Sequence, residues 1–100
     1  MSTSETQLKE AVAQRVRIDD DVLTVDLSDG RTIAVPLTWF PRLLHGTAAE
    51  HANWRLIGAS EGIHWPDLDE DVRIVSLLAG RTSSETGESL RRWLASRQPK

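Results

Sequence analysis

A strand-like run followed by a tight-turn signal constrains this chain more than any other feature. Leu23, Val25 and Leu27 recur at every second position, which is the period of a β-strand with one buried face. Residues 28–31 read Ser-Asp-Gly-Arg, and glycine supplies the positive φ that a tight hairpin turn needs. Alternation resumes in residues 32–35. The sequence therefore predicts an antiparallel β-hairpin with one apolar face.

A third strand is predicted in front of this hairpin. Residues 11–18 end in Arg-Val-Arg-Ile, which alternates as a strand does, although Leu8, Val12 and Arg15 would equally suit one turn of helix. We predict the strand on this alternation, followed by a turn at the three aspartates 19–21. Three antiparallel strands with one apolar face need other elements to cover it.

Two short helices are predicted to supply that cover. Pro36 ends the third strand, and Thr38 is suited to cap a helix over residues 39–45. Residues 47–50 read Thr-Ala-Ala-Glu, a capping box that predicts a second helix ending near Asn53.

A second hairpin and a further helix are predicted next. Residues 54–59 and 63–65 are predicted strands around a Ser-Glu-Gly turn. The helix is predicted to begin at Asp69 or Asp71, because carboxylates there satisfy free backbone N–H groups and the helix dipole, and to end at Gly80. Its predicted apolar stripe consists of Val72, Val75 and Leu78.

These elements define the predicted fold class and domain organisation. The fold is predicted to be α+β: an antiparallel β-meander of about three strands plus a second β-hairpin, packed by short helices, with a C-terminal amphipathic helix. We expect residues 1–10 to be a mobile segment, 11–80 a single α+β domain, and 81–100 a linker and helix. The C-terminal helix is predicted over residues 89–97, where apolar side chains recur at i, i+3 and i+4.

Composition excludes several functional classes. The chain has no cysteine, which excludes disulfides, thiolate nucleophiles and cysteine-based zinc sites. Its net charge of −3 makes nucleic acid an unfavourable direct ligand, because such binding relies on surplus Lys and Arg. No apolar run approaches the roughly 20 residues of a membrane span. We therefore expect a cytoplasmic protein with no membrane contact.

Motifs for chemistry are weak. Residues 67–71 place carboxylates at positions 1, 3 and 5 of a calcium loop, but the glycine needed at position 6 is Val72 and the glutamate needed at position 12 is Leu78. We predict the start of a helix there instead. No catalytic residue, metal ligand or cofactor is predicted, and we expect a protein that is not an enzyme.

One polar pocket is a candidate ligand site. Glu61, His64 and Trp65 are close in sequence, and histidine acts as acid or base near neutral pH. No partner stands at a spacing that fixes a mechanism, and His45 and His51 lie in other predicted elements.

The C-terminal helix is the candidate partner-binding element. Trp93 lies there with Arg91, Arg92 and Arg97, and tryptophan is a favoured anchor at protein interfaces. The helix either docks on its own domain or lays its apolar stripe into a partner's groove, and the sequence leaves both open. Self-association is a further expectation, because a small domain with an open sheet edge gains by covering it.

Ordered motifs carry a family resemblance over about residues 11–80. They are residues 23–31 (Leu-Thr-Val-Asp-Leu-Ser-Asp-Gly-Arg), 35–37 (Val-Pro-Leu), 39–44 (Trp-Phe-Pro-Arg-Leu-Leu), 53–58 (Asn-Trp-Arg-Leu-Ile-Gly) and 63–71 (Ile-His-Trp-Pro-Asp-Leu-Asp-Glu-Asp). With them the chain resembles the bacterial family called domain of unknown function 2442. The resemblance implies an α+β fold and no established enzyme activity. Some relatives are encoded beside small toxin-like proteins, and others carry a helix-turn-helix domain.

Three functional hypotheses follow. The first is a non-enzymatic protein-interaction module, antitoxin-like, with a small toxin as partner. The second is a DNA-associated transcriptional regulator or accessory. The third is a small-ligand-binding protein that uses the pocket near His64 and Trp65.

Overall fold

The first sheet is an antiparallel meander, as predicted. A computed structural model describes residues 11–97, so the predicted mobile segment 1–10 lies outside the described residues. The strands are β1 (Ala13–Asp19), β2 (Val22–Leu27) and β3 (Thr32–Pro36), in the order β1-β2-β3. The alternative of a helical turn near residue 12 is thereby excluded for the strand's own residues.

Turn residues set the register of this sheet. Asp20 and Asp21 have φ values of 48° and 65°, the left-handed region that aspartate tolerates better than most residues. Gly30 has a φ of 96°, which favours glycine at that position. The resulting register opposes Val16 to Val25 and Val25 to Ile33. The apolar face predicted from alternation is the buried face of β2.

The second sheet contains the predicted hairpin and one more strand. Its strands are β4 (Arg55–Ile57), β5 (Gly62–Trp65) and β6 (Glu70–Arg73), antiparallel in the order β4-β5-β6. The helix predicted to begin at Asp69 or Asp71 is therefore wrong in its first part. Asp69 has a φ of 51° and lies in a turn.

Long-range pairing is the reason for this difference. Val72 lies opposite Ile63 across the two strands and is buried with it. This cross-strand burial stabilises extended backbone where the local sequence favours a helix start. The helix that follows is α3 (Ile74–Leu78), and its N-cap Arg73 makes no side-chain capping bond.

Two short helices connect the sheets. A single 3-10 turn (Leu37–Trp39) precedes α1 (Pro41–Leu44), and α2 (Ala48–Ala52) follows. The helix predicted over 39–45 is thus divided, because Phe40 is non-helical with a φ of −132° and Pro41 begins α1. The predicted capping box of α2 is confirmed by the reciprocal bonds of Thr47 and Glu50.

One core joins all of these elements. Both sheets and the helices contribute side chains with almost no exposure: Trp65, Leu23, Leu27, Leu37, Leu43, Ile63, Leu68, Ile74 and Val25. Two backbone bonds connect the halves, from the Ala13 N–H to the Ser60 carbonyl and from the Ile74 N–H to the Glu61 carbonyl, both 2.9 Å. The α+β class is confirmed.

The C-terminal helix α4 (Gly87–Ser96) starts two residues earlier than predicted. Thr86 is its N-cap, and the Thr86 hydroxyl accepts a bond from the Ser89 N–H at 3.0 Å. Residues 81–86 before it form no helix or strand. None of the helices within residues 11–97 has the length and apolar character needed to cross a bilayer.

Candidate functional site

Trp93 fastens α4 to the rest of the domain. The guanidinium of Arg42, from α1, lies 5.1 Å from the centre of the Trp93 ring, and that of Arg97 lies 4.6 Å from it. Both distances suit cation–π attraction. The ring is half-buried against the core cluster. Of the two alternatives left open by the sequence, the helix docks on its own domain.

A bidentate ion pair makes the second attachment of α4. Arg97 donates to the two carboxylate oxygens of Glu50 at 2.7 and 3.1 Å. These bonds, together with the bond from the Thr47 N–H, lower the pKa of Glu50 to about 2. Glu50 therefore both caps α2 and holds the last turn of α4.

Arg42 connects four segments of the chain. Its guanidinium donates to the Glu85 carboxylate at 2.6 and 3.3 Å and to the Asp69 backbone carbonyl at 3.3 Å, in addition to its contact with Trp93. The Arg42 bond, followed by the Ser89 hydroxyl bond, lowers the pKa of Glu85. The loop before β6, the linker and α4 are thus all fixed to α1.

The other predicted partner-binding residues face solvent. Arg91 and Arg92 are exposed, and Arg92 pairs with Glu88 one turn earlier at 3.3 Å. Such exposed pairs contribute little to stability. The four predicted residues are therefore divided, since Trp93 and Arg97 make internal contacts and the two other arginines do not contact the body in any described ion pair.

An acidic cleft of about 410 Å³ lies between β6 and the linker, beside Arg42. Its carboxylates come from Asp69, Glu70, Asp71 and Glu85. Burial raises the pKa of Glu70 to about 7, against the attraction of Arg42 and with the repulsion of its acidic neighbours. Within residues 11–97 no three His, Asp or Glu groups could hold a metal ion together.

The predicted polar pocket is divided by the pleat of β5. Trp65 is fully buried, and its indole N–H donates to the His51 carbonyl at 3.1 Å. His64 points to the other face, because successive residues of a strand alternate, and contacts the Asp71 carboxylate. Glu61 is exposed and lines a cavity of about 230 Å³ that also includes Asp71. The structure therefore does not bring Trp65 together with the other two.

Exposed apolar side chains on α3 were missed by the sequence reasoning. Val75 is 60% exposed and Leu78 is 40% exposed, one helical turn apart. The stripe predicted for this helix assigned both to the buried face, but Ile74 and Leu77 are the residues that α3 buries. Those two also have an i, i+3 spacing, which is the signal that could have identified the correct face.

Solved structures show a similar fold. A crystal structure of a protein of unknown function from Rhodospirillum rubrum is 28% identical, with a TM-score of 0.66 over 76% of this chain and 94% of that chain. The solution NMR structure of an uncharacterized protein from Chromobacterium violaceum is 19% identical, with a TM-score of 0.67 over 92% of this chain and 81% of that chain. The second likeness concerns the fold alone.

The sequence comparisons assign the family. No curated protein matches the chain. Residues 13–83 match the family described as "Protein of unknown function (DUF2442)", which spans both sheets and all the helices of the body. The chain therefore belongs to the DUF2442 family.

Proposed function

We propose that this chain is a non-enzymatic protein-interaction module whose partner docks on Val75 and Leu78 of α3. The exposure of these two side chains, 60% and 40%, is the observation that carries the proposal. They lie one turn apart and therefore form one apolar patch. Contiguous apolar surface on a small domain commonly marks an interaction site.

The arrangement of polar side chains supports a binding role without catalysis. His51 faces the Leu43 carbonyl and His64 contacts Asp71, so both imidazoles have local partners. Arg42 and Glu50 hold the C-terminal helix. These groups have roles in holding the fold together, and a docking surface needs no reactive group.

The partner that we propose is a small toxin, with this chain as the antitoxin-like member of the pair. The support is the resemblance to relatives encoded beside small toxin-like proteins. The apolar patch on α3 adds to it, because depletion of charge at the centre of an interface is typical of protein partners.

The test is native mass spectrometry of the tagged chain purified from its own host. The variant V75D/L78K places an acidic residue in the first turn of α3 and a basic residue in its last turn, which suits the helix dipole and preserves net charge. The matched control is A49D/A52K, because α2 has the same length and both alanines are exposed. A stoichiometric protein partner should be present with the wild type and the control and lost with V75D/L78K.

Three outcomes would contradict the proposal. These are a wild-type chain without a protein partner, a partner that stays bound to V75D/L78K, and a complex with DNA or a small molecule in place of protein. Circular dichroism of both variants checks that the fold is retained.

A further inference from the structure

The docking of α4 is shallow compared with that of the other helices. None of its ten residues is buried, whereas α1 buries Leu43 and α3 buries two side chains. Its attachment to the body consists of the half-buried Trp93, the ion pair of Arg97, and the capping linker held by Arg42. Ion pairs at a protein surface contribute little, so this helix is held less firmly than the elements of the core.

The acceptor surface belongs to the family body and the helix does not. Arg42 and Glu50, which receive α4, lie within the residues 13–83 that match the family. The helix lies beyond that region and is joined through residues 81–86, which form no regular structure. A surface that the family body carries is therefore occupied by an added segment.

We infer that this surface is a helix-binding site, that α4 is its internal occupant, and that a helix of a partner protein exchanges with α4. The chemistry of the occupant defines the partner. An aromatic side chain must lie against the guanidinium of Arg42, and an arginine four positions later must reach the carboxylate of Glu50. A planar guanidinium matches that carboxylate in a bidentate way that a lysine does not.

Exchange is feasible because the resident helix is shallow. A tethered segment has an effective concentration in the millimolar range, so a partner helix must bind more tightly than α4 does. Larger apolar residues at the positions of Leu90 and Leu94, which are only half-buried, would give a partner helix that advantage.

The test uses the full chain and a fluorescent peptide that spans residues 86–97. In the R97E chain the resident helix faces Glu50 with a like charge, while the acceptor surface is unchanged. The peptide should bind this chain at least tenfold more tightly than the wild type, in which α4 competes. Peptide binding that is absent, or equal for both chains, would overturn the inference.

Charge reversal identifies the acceptor. The E50R chain should lose the unmodified peptide and bind the R97E peptide, and this rescue separates a docking effect from the loss of the capping box in α2. The control peptide R92E should bind as the unmodified one does, because Arg92 is exposed and pairs only with Glu88 in the structure. Failure of the rescue would contradict the role of Glu50.

Sedimentation of the same samples distinguishes a second copy from a partner protein. A wild-type chain that dimerises, and loses this dimer on E50R, would overturn the partner assignment. The result is also independent of the proposed function, because none of these substitutions touches Val75 or Leu78. Failure here would leave the α3 surface standing, and failure there would leave this helix site standing.

Discussion

Replacement of Glu70 by glutamine should stabilise the protein above pH 7 and change its stability little near pH 5. Glu70 lies on β6, on the same face as the buried Val72, and is only partly exposed. Burial is the largest cause that raises its pKa from the ordinary 4.5 to about 7, and Arg42 opposes the shift. The protonated side chain, which glutamine mimics, is therefore the form that the fold prefers.

The sign and the size follow from linkage. Because the folded-state pKa is raised, the contribution of Glu70 is fully present below about pH 4.5 and is lost as the pH rises to about 7. Each pKa unit corresponds to about 1.4 kcal/mol, which sets an upper limit of roughly 3 kcal/mol. Since solvent reaches part of the side chain, we expect about 1–2 kcal/mol for E70Q relative to the wild type at pH 8.5.

The assay is urea unfolding of the wild type and E70Q at pH 5 and pH 8.5, with E88Q as the control. Glu88 is exposed on α4, so E88Q removes one carboxylate without removing a buried one. E70Q alone should gain stability relative to the wild type between the two pH values. If E70Q follows the wild type in parallel, or is less stable at pH 8.5, the attraction of Arg42 exceeds the burial cost and the reasoning is refuted.

Three smaller predictions concern the core, a cap and an ion pair. Trp65→Ala should cost about 3–5 kcal/mol in urea unfolding, because the indole is fully buried, and a loss below about 1 kcal/mol would contradict its place in the core. Thr47→Ala should cost about 1 kcal/mol by removing the hydroxyl that caps α2, and an unchanged midpoint would show that the cap is not formed. Arg97→Gln should raise the pKa of Glu50 from about 2 towards 4.5, measured by NMR titration of the carboxyl carbon, and an unchanged pKa would mean that the pair is absent in solution.

Local signals predicted the first sheet and the caps well. The alternation of β2 and the glycine turn after it fix one strand pair within a few residues, so no distant contact is needed to recognise them. The capping box of α2 is likewise a short-range pattern, and both of its bonds are present. These are elements whose stabilising contacts lie close together in the sequence.

Non-local contacts account for what could not be predicted. Residues 70–73 have an acidic start that favours a helix N-terminus, but they pair with β5 and bury Val72 against Ile63. The predicted phase of α3 was shifted with them, which placed Val75 on the wrong face. The contact of Trp93 with Arg42 likewise joins distant parts of the chain, so the sequence left the position of α4 open.

The most direct test of the central claim is hydrogen exchange of the chain in complex with the protein that co-purifies with it. If the partner docks on α3, the amides of residues 74–80 should gain protection in the complex, and the V75D/L78K variant should show no such gain because it has lost the partner. The A49D/A52K control should behave as the wild type does. Protection confined to other elements, or a chain that purifies alone, would contradict the account.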